Sequence, residues 1–229
     1  MIKALIMAGG LSERMRASGA KTHKALREVA SRSLLDHNIE YLRSHGIFDI
    51  TLAVNRCERD LLARVAHLPL IIEERPLGTI GSARNFAQNT ETLVVLYVDN
   101  LTDLDLRAFV AYHCAQKAVL TVASHDEPFR IPFGELELDG TRVLAYREKP
   151  IFPIPISSGL YVLSNRAIAA IGHEERIHAP ELINRLISRG DHVAAFRHQA
   201  WWIDVNDETA LAAADVAVAR KPLLQATRR

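Results

Sequence analysis

The chain has 229 residues, with 28 Lys and Arg against 27 Asp and Glu for a formal net charge of +1, and 48% of it is hydrophobic. That composition belongs to a globular protein of one large or two small domains and excludes a disordered, collagenous or disulfide-scaffold chain. A balanced charge gives no electrostatic case for nucleic acid or an anionic membrane as partner.

Residues 2–7 form a nearly continuous apolar run ending at Gly9-Gly10, as a strand buried on both faces does. Residues 33–45 place Leu34, Leu35, Ile39 and Leu42 at helical spacing and close on Gly46. Strands are predicted at 50–54 and 68–72 with a helix at 59–66 between them, then a helix over 80–88. LVVLYV at 93–98 is the strongest strand and ends at Asp99; a helix at 104–114 and a strand at 118–123 follow. Strand and helix taking turns argues for βαβ units in a doubly wound α/β sheet. The rhythm then changes. Strands at 134–138, 142–147 and 158–163 are separated by the Asp139-Gly140 hairpin signal and by prolines at 150, 153 and 155. A helix over about 180–188, strands at 192–196 and 201–205, and a helix capped by Asn206 or Asp207 close the chain. The prediction is one domain over residues 1–220, with about 126–205 forming a shelf on the first 125 or so, and a tail at 221–229.

Directly after the first strand comes Ala8-Gly9-Gly10-Leu11-Ser12-Glu13-Arg14-Met15. Adjacent glycines let backbone amides approach a ligand closely. Arg14 offers a guanidinium fork suited to phosphate, and a loop could carry Lys24 to the same phosphates. The segment reads as a triphosphate cradle or as a tight turn with solvated charges. Neither G-x-G-x-x-G nor G-x-x-x-x-G-K-[ST] fits its spacing. Ser12 either touches the β- or γ-phosphate or caps a short turn at 13–16.

AGGLSERM (8–15) followed by KTHKALREV (21–29) resembles the A-G-G-x-G-T-R-[LM] and P-K-x-L-x-x-V motif of sugar-1-phosphate nucleotidyltransferases. RPLGTIGSA (75–83), VLYVDNL (95–101), REKP (147–150) with SSGLYVL (157–163), and WWIDVND (201–207) are similar to later segments of that family, in family order. The resemblance covers nearly the whole chain. Ser12, Glu13 and His23 depart from the usual glycine, threonine and proline, and serine after G-G-x also occurs in molybdenum-cofactor nucleotidyltransferases. The resemblance implies a Rossmann-like doubly wound mixed sheet, with a nucleotide-binding first half and a β-rich, sugar-phosphate-binding second half.

Asp99 lies beyond a buried strand, where open α/β sheets bind ligands. A carboxylate there suits Mg²⁺, which takes one or two protein carboxylates plus phosphate and water; the alternative is a helix cap. The resemblance brings Asp204 to the same metal and gives Arg14, Lys24 and Asp99 catalytic roles. It assigns Ala8, Gly9, Gly10, Leu11 and Ser12, with Pro76, Gly78, Thr79 and Gly81, to the nucleotide; the plain alternative for 76–82 is a turn entering a helix. Glu148 and Lys149 read by themselves as solvated strand-end charges; the resemblance assigns Lys149 to neutralising a sugar phosphate and Glu148 to accepting from sugar hydroxyls, and adds Gly134, Ser158 and Gly159. Trp201 and Trp202 read as one core and one shelf residue.

The implied reaction is attack of a sugar 1-phosphate oxygen on the α-phosphorus of a nucleoside triphosphate. The nucleophile is already anionic, so positioning and charge neutralisation by Mg²⁺, Arg14, Lys24 and Lys149 suffice. The ten histidines form no H-x-x-x-H or H-E-x-x-H pattern, and G-x-S-x-G is absent, which argues against hydrolase chemistry. Glu73, Glu74 and P-L-G-T-I-G stand where dTTP and UTP users carry glutamine and P-x-G-L-A-Q. This is closer to short guanylyltransferases, so the resemblance favours GTP with heptose or mannose 1-phosphate, for capsule or surface polysaccharide. A uridylyltransferase for an amino-sugar phosphate and a non-catalytic nucleotide-sugar sensor are the rivals; the sensor would be expected to lose Lys24, Asp99 or Asp204. The molybdenum-cofactor transferase is disfavoured by REKP and WWIDV. The little chain left after the last helix leaves no place for a C-terminal left-handed β-helix, so no acetyltransferase role is expected. Cys57 and Cys114 sit in no metal-ligand pattern, which predicts a reducing cytoplasm and buried or inert thiols. No apolar run approaches the roughly 20 residues that span a bilayer, and no secretory signal opens the chain, so no membrane partner is expected. A homodimer is left open.

Overall fold

The computed structural model describes residues 2–9, 23–88 and 90–219. After β1 (Ile2–Met7) come a 3-10 turn (Lys24–Leu26), the short hairpin β2 (Glu28–Val29) and β3 (Arg32–Ser33), and α1 (Leu34–Ser44). Next are β4 (Ile50–Asn55), α2 (Arg59–Val65), β5 (Leu70–Glu73), a 3-10 helix (Gly81–Phe86), β6 (Thr92–Tyr97) and β7 (Asn100–Thr102). α3 (Leu106–Gln116) leads into β8 (Leu120–Arg130), β9 (Glu135–Asp139), β10 (Arg142–Arg147) and β11 (Ile151–Ser164). α4 (Asn165–Ala169), α5 (Ala179–Ser188), β12 (Val193–Arg197), β13 (Trp202–Asp204) and α6 (Glu208–Ala219) complete the order.

Seven strands make one sheet in the order β12-β8-β11-β6-β1-β4-β5, and β11 alone runs antiparallel to its neighbours. From β1 the chain steps outward through β4 to β5, then returns to the opposite side of β1 with β6. The strand order therefore reverses between β1 and β6, and such a reversal opens a crevice beyond the strand ends. Successive residues of β1 feed two cores. Ala4 and Ile6 meet Leu35, Leu42, Leu61 and Phe109 on one face, whereas Leu5 and Met7 meet Ile80, Phe86, Leu182 and Leu186 on the other. A strand covered on both faces cannot alternate with polar residues, which explains the apolar run from Ala4 to Met7. Truncating the fully buried Leu5 or Ile6 to alanine would cost about 2–5 kcal/mol. A third cluster, of Val29, Leu34, Leu101, Val205 and Ala214, seats α6 over β7 and the first hairpin.

The local signals account for most element ends. Ser33 caps α1 by accepting from the Asp36 amide at 3.1 Å. Asp105 caps α3 by accepting from Arg107 and Ala108 amides at 2.9 and 3.1 Å, which moves that helix start from the predicted 104 to 106. Asp207 caps α6 through the Ala210 amide at 2.7 Å. Three expectations are corrected. The helix over 80–88 is a 3-10 helix, because Ile80, Ala83 and Phe86 recur every third residue and a three-residue turn buries all of them. The proline-rich stretch is strand. Ile151–Ser157 pairs with Ser124–Arg130, and Pro153 faces Pro128, a non-hydrogen-bonded position where neither missing N–H is needed. Both cysteines are free and exposed, where burial was an alternative: Cys57 in the turn after β4 and Cys114 on the outer face of α3. Among the described residues no helix is long and apolar enough to cross a membrane.

Candidate active site

The carboxyl ends of β1 and β6 meet where the strand order reverses. Ala8 and Gly9 extend β1, Val98 and Asp99 extend β6, and the Val98 amide donates to the Met7 carbonyl at 3.1 Å. Gly10, Leu11, Ser12 and Arg14 lie outside the described residues. Lys24 reaches this point from the first 3-10 turn, where His23 Nδ1 accepts from the Ala25 amide at 3.1 Å. Lys24 Nζ donates to Asp99 Oδ2 at 2.5 Å, and the two side chains are only 19% and 9% exposed. Charges so shielded are poorly screened, so the pair responds strongly to any further charge brought beside it.

Asp204 arrives on β13, which pairs antiparallel with β7 in the register Asp204 to Asn100. The Val205 amide donates to the Asp99 carbonyl at 2.9 Å. Two aspartates remote in sequence thus stand on adjoining stretches of paired backbone. Asn206 Nδ2 donates to Asp204. Two carboxylates are a hard-oxygen donor set of the kind Mg²⁺ takes. Among the described residues no group of three or more His, Cys, Asp or Glu could hold a metal, so an ion here would rely on phosphate and water for its remaining ligands.

The middle loop is organised by Glu73, at the end of β5. Its side chain is buried, Ser82 Oγ donates to Oε1 at 2.5 Å and the Leu77 amide donates to Oε2 at 3.3 Å. Among the described residues no cation pairs with it. A Cβ at position 9 would fall 2.7 Å from Glu73 Oε2, so glycine there lets the carboxylate reach the end of β1. The loop's own glycines serve packing. Gly78, at φ +80, lies where a Cβ would meet the Ile177 carbonyl at 2.3 Å, and a Cβ at Gly81 would meet the Glu175 carbonyl at 2.6 Å. Thr79 Oγ accepts from the Ala179 amide at 3.0 Å, while Pro76 is exposed. The close approach predicted for a base is thus used, at Gly78 and Gly81, by the segment entering α5.

Glu148 and Lys149 stand where the β9–β10 hairpin returns to β11. Their side chains are 61% and 58% exposed and 3.9 Å apart. Tyr146 donates to Glu148 Oε2 at 2.8 Å, a bond that holds the phenol proton and raises its pKa. The same tyrosine covers Gly134. Ser158 is fully buried, so its side chain serves neighbours: Oγ lies 2.9 Å from His125 Nδ1 and 2.8 Å from His198 Nε2. Its carbonyl accepts from Asn100 Nδ2 at 3.0 Å and Trp202 Nε1 at 2.7 Å. Burial pushes the His198 imidazole below its usual pKa, and the nearby His125 adds to that shift. Trp201 packs on the cluster beneath α6, and Trp202 packs both on the first core cluster and on His125, so each tryptophan meets a core and neither is a separate shelf residue.

Residues 3–221 match the family model described as nucleotidyl transferase. The chain belongs to the nucleotidyl transferase family. Mannose-1-phosphate guanyltransferase beta-B of Xenopus laevis is 26% identical over 220 residues, 89% of this chain and 61% of that protein. The mannose-1-phosphate guanylyltransferase catalytic subunit beta of Danio rerio is 27% identical over 220 residues, with the same coverage. This nucleotidyl transferase therefore spans about 60% of the length of the relatives it matches. The crystal structure of HddC from Yersinia pseudotuberculosis superposes with a TM-score of 0.74 at 23% identity, covering 95% of this chain and 100% of that one. A second structure of HddC, complexed with GMP-PN, gives the same TM-score at 22% identity. These superpositions share the fold.

Within this nucleotidyl transferase the sequence reading noted Glu73 only as standing where other members carry glutamine, set Asn100 aside as a capping or turn residue, and gave His125 and His198 no individual role. An acidic residue closing an apolar strand marks Glu73, the same signal that singled out Asp99. No local pattern marks the two histidines, which meet only when β8, β11 and β12 are laid side by side.

Proposed function

We propose that this nucleotidyl transferase joins GTP to a sugar 1-phosphate, mannose or D-glycero-D-manno-heptose 1-phosphate, with release of pyrophosphate, in a soluble cytoplasmic step toward surface polysaccharide. The observation that carries the reading is the convergence of Lys24, Asp99 and Asp204 beyond β1 and β6. A phosphate oxygen of the sugar attacks the α-phosphorus, the new P–O bond forms in line, and the bond to the β-phosphate breaks with its electrons leaving on pyrophosphate. No proton moves, so no general base is required. Asp99 and Asp204 would hold Mg²⁺, which neutralises charge on the reacting phosphates. Lys24 leaves Asp99 for the triphosphate, together with Arg14 and the amides of residues 8–12. Lys149 faces the sugar phosphate and Glu148 the sugar hydroxyls, on a shelf that includes Gly134 and Gly159.

Guanine is supported by Glu73. Among the described residues no cation pairs with this buried carboxylate, and such a group is costly unless donors reach it. The guanine edge offers two parallel N–H donors, from N1 and N2, and a carboxylate accepts both. Uracil and thymine offer one donor flanked by acceptors. The Leu77 amide and Ser82 Oγ, within the loop that carries Pro76, Gly78, Thr79 and Gly81, hold Glu73 in place for that contact. Pyrophosphate release across GTP, ATP, CTP, UTP and dTTP with a panel of sugar 1-phosphates tests the reading. It predicts release with GTP and a manno-configured 1-phosphate. Release with UTP and an amino-sugar 1-phosphate alone would replace it.

A further inference from the structure

Ser158 is tied by its side chain to two imidazoles and by its carbonyl to the strands that carry both aspartates. His125 lies on β8, and His198 follows β12 by one residue. Asn100, which holds the Ser158 carbonyl, directly follows Asp99, and Trp202 stands on β13 with Asp204. Gly159, at φ +71, brings the backbone so close that a Cβ would fall 2.2 Å from Asn100 Nδ2. Any shift of Ser158 is therefore felt at the ends of β6 and β13.

The proton count of this cluster is restricted. A serine hydroxyl has one proton to give. With both rings neutral, one ring nitrogen accepts it and the other ring donates to Oγ. Glu127 Oε2 lies 3.6 Å from His125 Nε2, which favours a proton on that nitrogen and leaves His125 Nδ1 as acceptor. One added proton is accommodated when His125 Nδ1 takes it and donates to Oγ, the hydroxyl turns to donate to His198 Nε2, and the proton that nitrogen held moves to His198 Nδ1. A second would leave the buried hydroxyl without an acceptor and place two cations on rings 5.7 Å apart.

We infer that His125, Ser158 and His198 are positioning residues for the sugar 1-phosphate, a relay that holds at most one proton and fixes the Ser158 carbonyl beneath the shelf. The assignment of the shelf to the sugar rests on the proposed function. Among the described residues the charged groups around the relay are these. Glu127 faces His125 from its own strand, and the adjacent Asp126 is paired with Arg197 of β12. Asp103, ahead of α3, acts on His198 and favours its charged form. On the β6–β7 side Asp99 is paired with Lys24, and on β13 Trp202 packs on His125 with ring centroids 4.8 Å apart, Asp204 lying beyond it. The carboxylates favour the first proton, and that proton opposes the second. The relay holds its carbonyl at neutral pH and releases it only when acid forces the second proton on.

Two measurements on the full chain test this. Imidazole NMR titration should show the two rings taking up protons in steps more than about one pH unit apart, and in His198→Asn a single step. Both wild-type rings titrating together in one step would overturn the shared proton. In steady-state kinetics with GTP and mannose 1-phosphate, Ser158→Ala should raise the sugar phosphate KM about five- to twenty-fold, as loss of a buried hydrogen-bond network does, and leave the GTP KM within about two-fold. Its acid limb, taken relative to wild type at each pH so that the substrate's own titration cancels, should move; His198→Asn should move it the same way. A lowered Tm with unchanged sugar phosphate KM and pH profile in both variants would make the cluster merely structural and overturn the inference. The titration needs no substrate. Wild-type protein inactive with every sugar 1-phosphate would thus reject the proposed reaction, while the NMR result still decides the shared proton.

Discussion

Asp99 and Lys24 form a shielded pair whose two halves have different expected effects. Asp99→Asn keeps the shape and removes the charge that would hold Mg²⁺. Turnover should fall about a hundredfold or more, since a charged ligand at the reacting phosphate is worth several kcal/mol and each 1.4 is tenfold. The variant also strands Lys24, so its Tm should fall, and Lys24→Met in the same chain should restore Tm without restoring turnover. Near-wild-type kcat in Asp99→Asn at saturating Mg²⁺ would take Asp99 out of the reaction. Glu73→Gln exchanges two acceptors for one acceptor and one donor. The kcat/KM for GTP should drop roughly ten- to hundredfold and that for UTP should rise, since a hydrogen bond to a charged group is worth about 1.5–3 kcal/mol. An unchanged GTP-to-UTP ratio in competition assays would contradict the role of Glu73. Asp99 was legible in the sequence because it closes the strongest apolar strand. Glu73 closes a weaker one beside Glu74 and Arg75, where an acidic side chain looks solvated.

At the scale of elements, the loop at 76–82 is held from behind by the turn before α5. Glu175 accepts from Arg185 at 2.5 and 2.9 Å and from the Gly172 amide at 2.6 Å, and its own carbonyl abuts Gly81. The Arg185 guanidinium, followed by the Gly172 amide, lowers the Glu175 pKa to about 2. A carboxylate depressed in the folded state stabilises it fully above its unfolded value, about 4.3, and progressively less as pH falls toward 2. Glu175→Gln should therefore lower Tm at pH 7 by roughly 2–4 °C, the effect of about 1 kcal/mol in a chain of this size. The gap from wild type should shrink below about pH 4.3. Melting curves at pH 7 and pH 3.5 decide it, and a gap that stays constant or widens in acid would contradict the assignment. The sequence missed the segment before α5 as a support because its contacts are made by backbone carbonyls. It likewise missed the arm formed by the far ends of β8 and β11. Prolines signal a break when read singly, and only the register reveals that Pro128 and Pro153 face each other.

For the whole molecule, the doubly wound sheet was legible because strands covered on both faces leave nearly continuous apolar runs, and β1, β4 and β6 all have them. The crossing of β7 with β13 was not legible as structure, since three-residue strands carry no periodicity; only the family resemblance linked Asp99 to Asp204. That pairing brings Asp204 beside Asp99, and the proposed reaction depends on it. The most direct test follows phosphorus by NMR in a mixture of GTP, mannose 1-phosphate and Mg²⁺ with the wild-type protein. The account predicts that pyrophosphate and a nucleotide-sugar diphosphate appear in equal amounts as both substrates decline. Inorganic phosphate or GMP as the product, or no change with either manno-configured sugar 1-phosphate, would contradict it.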